Sequence, residues 1–280
     1  MIVKDEERDL QKCLTSARDV AEEIVIVDTG STDSTVEIAR HNGARLIHFD
    51  FAFVDFAAAR NAALSQAKGD WILVLDADET LQQASVELIR ELTAGRENVG
   101  YYAARHNHSA NPEVSTLDYA VRLFRNQPEN RYRGRVHETV DAAILAGGGH
   151  LHRSEIHIDH NFRCDPESRR RRNLWYIEIL QEEIAANPDD HTRLDFLAAE
   201  YHQLEMFDEA AAIAERIAEA RPLDPSAHLN AGIYHLIYLP DPARARADFL
   251  EALRLRPDYP EAKAFLAKLE GDCEQSGSLA

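Results

Sequence analysis

From Trp71 to Leu75 the chain is apolar without a break, and it then meets carboxylates at Asp76, Asp78 and Glu79. A run of that length with no alternation predicts a strand covered on both faces. "EIVIVD", Glu23 to Asp28, has the same character. Around these runs the apolar spacing turns helical. Leu10, Cys13 and Leu14 form one stripe after "KDEE". "TGSTDSTVEIARHNGA" opens with a Gly turn, carries a Ser34-x-x-Glu37 capping box and runs as a helix to Asn42-Gly43. "RLIHF" predicts a short strand, and "AAARNAALSQAKG" a helix closed by Gly69. A β-α-β-α-β order over residues 1–165 implies an α/β domain built on a parallel, doubly wound sheet, with ligands at the carboxyl ends of its strands. Asp28 and Asp76 stand at such ends.

Over residues 166–280 the pattern becomes helical throughout. Leu174, Ile177, Leu180 and Ile184 make a stripe, and prolines recur at 188, 222 and 257, 34 and 35 residues apart. "LAAEYHQLEMFDEAAAIAERIAEARP" and "NAGIYHLIYLPDPARARADFLEALRLRP" share small-residue and Tyr positions. Period, alanines and terminal prolines together resemble the tetratricopeptide repeat. Such repeats present a concave surface, suited to a peptide or to joining two copies as a homodimer. The run Arg169 to Arg172 at the junction reads as a solvated helix start.

Composition narrows the partners. With 45% hydrophobic and 29% charged residues the chain is globular. No apolar stretch approaches the roughly 20 residues of a transmembrane helix. The amino terminus turns acidic at once, unlike a signal peptide. Cys13, Cys164 and Cys273 lie far apart with no CxxC, so reduced thiols and a cytoplasmic location are expected. The formal charge of −18 repels nucleic acid. An anionic small ligand therefore needs a metal ion, a few arginines or a helix amino terminus.

Three readings compete for the acids at 76–79. They can cap a following helix, which "LQQASVELIREL" predicts. "LDADET" also satisfies the D-x-D-x-T of haloacid dehalogenase-type phosphatases, with Asp76 as nucleophile, but two strand–helix units precede it here. Thirdly, Asp76 and Asp78, two apart on an extended segment, point to one side and suit Mg²⁺ or Mn²⁺ bridging to a diphosphate.

"MIVKDEERDLQKCL", "EIVIVDTGSTDSTVEIARHNGA", "DFAAARNAALSQAKGDWILVLDADE" and "VRLFRNQPENRYRGRVHE" resemble, in that order, glycosyltransferase family 2 with its GT-A fold. The subgroup most resembled includes bacterial lipopolysaccharide-core glucosyltransferases and sublancin-type peptide S-glycosyltransferases. The resemblance implies a metal-dependent, inverting transferase moving a hexose from a nucleoside diphosphate sugar, UDP-linked in the first instance, to a peptide, protein or glycan. A scaffold protein with a degenerate transferase half is the alternative.

By position, the resemblance puts Asp28, Arg60, Asp76 and Ala77 on the nucleotide sugar. Asp76 and Asp78 would take Mn²⁺ or Mg²⁺, and Glu138 would deprotonate the acceptor beside His137. In "EIHIDHNF" the alternation sends His157 and His160 to opposite sides, with His160 the choice for the metal. His106 and His108 flank an acceptor loop and carry no metal signature. Asp5 stands where the family tends to have Asn, and Met1 stands inside the family's first strand.

Overall fold

A computed structural model describes residues 1–277 apart from 52–53, 96, 109–114, 162–164 and 189, and side chains through residue 269. The chain divides into two compact units, Met1–Cys164 and Asp165–Ala280.

The first unit carries eight strands among its described residues, in two sheets rather than one. β1 (Ile2–Val3), β2 (Val25–Asp28) and β3 (Arg45–His48) are parallel, in that spatial order. The other sheet runs β4 (Trp71–Leu73), β7 (Thr116–Arg125), β6 (Val99–His108), β8 (His150–Asn161), β5 (Glu79–Leu81). β4 is therefore not the next strand of the parallel sheet. It pairs antiparallel with β7, Leu73 opposite Leu123. The chain leaves strand geometry after Leu73, so that Asp76 and Asp78 lie in the turn before β5 and Glu79 opens β5.

The helices of this unit are α1 (Leu10–Ala17), α2 (Thr35–His41), α3 (Phe56–Gln66), α4 (Ser85–Leu92) and α5 (Asp141–Ala146). α1 buries Leu10, Cys13 and Leu14, the expected stripe. α2 ends at Asn42 with Gly43 at φ +74°, a left-handed stop that glycine adopts without strain. Its start differs from expectation. The Ser34 side chain makes no cap, and the Ser34 N–H that Glu37 would accept from in a capping box goes to another acid. Ser34 N donates to Glu7 Oε2 at 3.1 Å and Thr35 N to Asp33 Oδ1 at 2.9 Å. α3 is capped by Asp55, which accepts from Ala58 N at 2.7 Å, and it ends at Gln66 rather than at Gly69.

The second unit is all helical: α6 (Pro166–Ala186), α7 (His191–Gln203), α8 (Phe207–Ala220), α9 (Pro225–Ile233), α10 (Pro242–Leu255) and α11 (Pro260–Gly277). A π turn, Tyr234–Tyr238, extends α9. Each helix packs on the next in sequence, as helical repeats do. Pro222 and Pro257 fall in the turns after α8 and α10, which explains their spacing. At the run of arginines, Arg171 pairs with Glu167 on the exposed first turn of α6.

The small residue at 232 is a packing requirement. A Cβ there would lie 2.6 Å from Phe249 Cε1, and Phe249 is fully buried. Gly232→Val is expected to destabilise the helical unit by about 1–3 kcal/mol through overpacking. A fall in the urea midpoint checks it, and an unchanged midpoint would show that α9 and α10 can separate at no cost.

Candidate active site

Where β4 ends, a chain of alternating charges begins. Arg60, on the second turn of α3, donates from Nη2 to Asp76 Oδ1 at 2.9 Å and from Nε to Glu138 Oε1 at 2.5 Å. Arg122, from the centre of β7, donates from Nη2 to Asp76 Oδ2 at 3.0 Å and to Glu79 Oε1 at 2.5 Å. Glu79 Oε2 accepts from Asp76 N at 2.9 Å. Arg105 lies 3.5 Å from Glu79 and is itself held by Asp118 through two bonds. Glu79 is completely buried, so these partners stand in for its lost water.

Electrostatics follow from this order. Burial would raise the Asp76 pKa, but Arg60 and Arg122 overcome it and hold the carboxyl well below the usual range. Both guanidinium groups are correspondingly held charged, against burial, by the carboxylates they bridge. Asp76 and Glu79 thus share two arginines between them.

Local structure aims Glu138. Residues 133 and 139 bond each other through both amides, at 2.9 and 3.1 Å, which closes a tight loop. Gly134 at φ +96° and His137 at φ +48° make its turns. For His137 that is a sparsely occupied conformation, a form of strain that collects at functional loops. Asn61 clamps the loop's approach to α3. Its Nδ2 donates to Tyr132 O at 3.0 Å, and its Oδ1 accepts from Tyr132 N at 2.9 Å. Arg60 lies over the Tyr132 ring.

Asp78 takes a separate partner. His160 Nε2 is 3.1 Å from Asp78 Oδ2, and His160 Nδ1 is 2.7 Å from Asn107 Oδ1. The pair follows from sheet register, since His160 stands opposite Glu79 across β5 and β8. His157 points away, its Nδ1 2.8 Å from His106 Nε2. His108 meets Asp159 at 2.8 Å. Segment 109–114, the expected acceptor loop, lies outside the described residues.

For a divalent cation, Asp78 and His160 are one oxygen and one nitrogen donor already side by side, with both side chains partly reachable. Asp76 is differently placed, since each of its oxygens accepts from an arginine. Negative charge near Asp78 is in excess. The Glu6 carboxyl is pushed up to about 7, first by burial and then by Asp78, Asp9, Asp33 and Asp76. These residues fit a small cation completed by ligand oxygens and water. Among the described residues no three His, Cys, Asp or Glu side chains surround one point.

The remaining expected contacts are distributed as follows. Asp28 is buried, and its carboxylate accepts from Ser31 N at 3.1 Å and Gly30 N at 3.3 Å, organising the loop after β2. Asp5 accepts from Thr32 N at 2.7 Å in the same region. Ala77 turns its methyl into the core with Val3, Leu10 and Ala39, which leaves its backbone as the part that can meet a ligand. Cys13 is buried and donates to Asp76 O at 3.3 Å. Cys164 lies outside the described residues.

Arg122 is the member that the sequence pattern did not single out, while Glu79 stood there only as one of the cluster of acids. The available signal was a lone cation between Val121, Leu123 and Phe124, in the part of β7 that is buried on both faces.

Known proteins bear on this arrangement. The pattern of glycosyl transferase family 2 matches residues 1–160. The chain belongs to that family. A TPR repeat-containing protein of Synechococcus elongatus is 44% identical over 147 residues, 52% of this chain and 36% of that one. The SPbeta prophage-derived glycosyltransferase SunS of Bacillus subtilis is 25% identical over 218 residues, 75% of this chain and 50% of that one. An uncharacterized glycosyltransferase of Rickettsia conorii is 31% identical over 152 residues, 52% of this chain and 53% of that one. The chain spans between about a third and a half of the length of these relatives. Among solved structures, the Arabidopsis OM64 TPR domain aligns with 36% of this chain and 84% of its own, at 24% identity and a TM-score of 0.32. The family 2 domain thus carries a mixed sheet beside its parallel one and is followed by a region that is helical throughout its described residues.

Proposed function

We propose that this chain is a metal-dependent, inverting glycosyltransferase that moves a hexose from a UDP-sugar to a peptide, protein or glycan acceptor. The observation that carries the reading is the convergence of Asp76, Asp78, Arg60 and Glu138 at the exit of β4, inside a family 2 domain.

Asp78 and His160 would hold Mn²⁺ or Mg²⁺, which neutralises charge on the departing diphosphate when bound. Asp76 acts chiefly by orienting the two arginines, and Arg60 offers its positive charge to the nucleotide. Asp28 holds the loop after β2 in shape for the base and ribose. Glu138 accepts the proton of the acceptor hydroxyl or thiol. With Oε1 bonded to Arg60, Oε2 is the atom that would take it. His137 orients the same acceptor. The helical region would select a macromolecular acceptor, in keeping with the tetratricopeptide-like repeats, and a homodimer through that region is the other use. No described helix is long and apolar enough to cross a membrane, which is compatible with work in the cytoplasm.

A binding protein with an inactive transferase half is favoured by one observation, the TPR-named relative. Turnover of a UDP-sugar separates the two. Calorimetry of UDP with Mn²⁺ and with chelator tests the cation. Affinity is expected to fall at least about tenfold in chelator. Asp78→Asn should reproduce that loss with Mn²⁺ present and abolish turnover. Equal affinity in both conditions would remove the cation from the reading.

A further inference from the structure

One register row of the mixed sheet crosses four strands and is polar throughout. Thr116 on β7 stands opposite Asn107 on β6, Asn107 beside His160 on β8, and His160 opposite Glu79 on β5. Residues paired across a sheet share a face, so the Asn107 and His160 side chains meet, and Asp78, just before Glu79, lies at the end of the row. Arg105 and Asp118 form a second row on the same face, two residues along.

Donors and acceptors along this face can be assigned one at a time. Burial alone would raise the Asp118 pKa, but the bonds from Arg105 and Asn107 hold it below the ordinary value, so Asp118 is ionised. An ionised carboxylate only accepts. The Asn107 atom 3.0 Å from Asp118 Oδ2 is therefore the amide nitrogen, which also donates to Thr116 Oγ1 at 3.2 Å. Turning the amide over would set its oxygen against the carboxylate. Asp118 is itself fixed, since it accepts from Arg105 Nε at 2.9 Å and from Arg105 Nη2 at 2.7 Å.

Asn107 Oδ1 is thus left facing His160 Nδ1 at 2.7 Å. An amide oxygen cannot donate, so Nδ1 carries the hydrogen. In a neutral imidazole the other nitrogen then has none. His160 Nε2 turns a lone pair toward Asp78 Oδ2 at 3.1 Å, and two acceptors at that separation repel unless a positive charge joins them. Neighbouring ligands on an octahedral cation, each roughly 2.1 Å from its centre, stand about 3 Å apart.

We infer that Asn107 is a positioning residue for the cation: anchored by Asp118, it fixes His160 as the tautomer whose Nε2 lone pair faces Asp78. The inference rests on the metal-dependent reading above. Without the Asn107 oxygen the other tautomer is favoured, because an Nε2–H would donate to Asp78. A cation would then have to displace that hydrogen before it could bind.

Mn²⁺ binding by the full chain with UDP present, followed by the electron paramagnetic resonance of free Mn²⁺, tests the assignment. Asn107→Leu removes the acceptor at Nδ1 and is expected to weaken Mn²⁺ binding by about 10- to 100-fold, as loss of a ligand's hydrogen-bond partner does. The exchange of Asn107→Asp with Asp118→Asn returns an acceptor to Nδ1 and a donor behind it. It should bring the affinity back to within about threefold of wild type, well inside the range for a missing partner. Ring nitrogen shifts read the tautomer directly in metal-free protein at pH of about 8.5, where an ordinary histidine is neutral. His160, assigned through His160→Gln, should carry its hydrogen on Nδ1 in wild type and in the exchange, and on Nε2 in Asn107→Leu. Equal Mn²⁺ affinity in wild type and Asn107→Leu, or a hydrogen on Nε2 in wild type, overturns the inference and leaves the metal reading standing. An exchange that binds as weakly as Asn107→Leu overturns it too, since packing alone would then explain the loss. Wild type that binds no Mn²⁺ removes the metal reading itself, and the inference with it.

Discussion

Arg122→Met is expected to destabilise the transferase domain by about 3–5 kcal/mol, because it leaves a carboxylate buried without its main counter-charge. Arg122 Nη2 serves Asp76 and Glu79 at once, and Glu79 is fully buried. After the substitution Glu79 keeps the Asp76 amide and a more distant Arg105 at 3.5 Å. Desolvation of the remaining charge, not the lost contact as such, sets the size of the effect. The double variant Arg122→Met with Glu79→Met removes both charges and should recover much of the loss, which a merely steric defect would not. Urea unfolding followed by tryptophan fluorescence reads both. A single-variant loss under about 1 kcal/mol would mean that water reaches Glu79.

Acid separates this effect from packing. The Asp76 pKa is depressed in the folded state, so its contribution to stability is full above the unfolded value of about 3.9 and is lost as pH falls below it. Removing Arg122 weakens that depression. Burial pushes the Glu79 pKa up, and losing Arg122 pushes it further. The gap in stability between wild type and Arg122→Met should therefore narrow in acid as Glu79 takes up a proton, and narrow again below pH of about 4 as the Asp76 contribution is lost.

Helix positions and the acid cluster were legible because both are local in sequence. Leu10, Cys13 and Leu14 need only a period of 3.6, and Asp76 and Asp78 need only a strand exit. Partner strands are not local. "WILVL" reads as a buried strand whichever neighbour it takes, and its neighbour β7 comes some fifty residues later. Period alone carries no information about which edge will be met, so one parallel sheet was expected where two sheets form. The Ser34-x-x-Glu37 box is a local pattern whose Ser34 amide goes to Glu7 instead. Arg122 escaped notice for a related reason. A cation in "AVRLF" looks like the polar member of an alternating strand until both faces prove to be buried. Sequence supplied the family resemblance and the acids, and three-dimensional register supplied the arginines that hold them.

The residue with the largest expected effect on rate alone is Glu138. Glu138→Gln should lower transfer by about 10²- to 10⁴-fold, the usual loss when a general base is removed. Gln is the informative replacement, since its amide oxygen can still accept from Arg60 Nε and keep the guanidinium aimed at Asp76. Nucleotide affinity should then remain within about twofold, because the phosphate side keeps its arginine. Glu138→Ala would mix the two effects by freeing Arg60. Hydrolysis of the UDP-sugar, with water as acceptor, gives an assay that needs no knowledge of the natural acceptor. A normal rate in Glu138→Gln would pass the role to His137, whose φ of +48° already marks the same loop as constrained. A lower rate accompanied by weak UDP binding would instead make Glu138 a positioning partner of Arg60. Only the first pattern, slow transfer with intact binding, supports proton removal by this carboxylate.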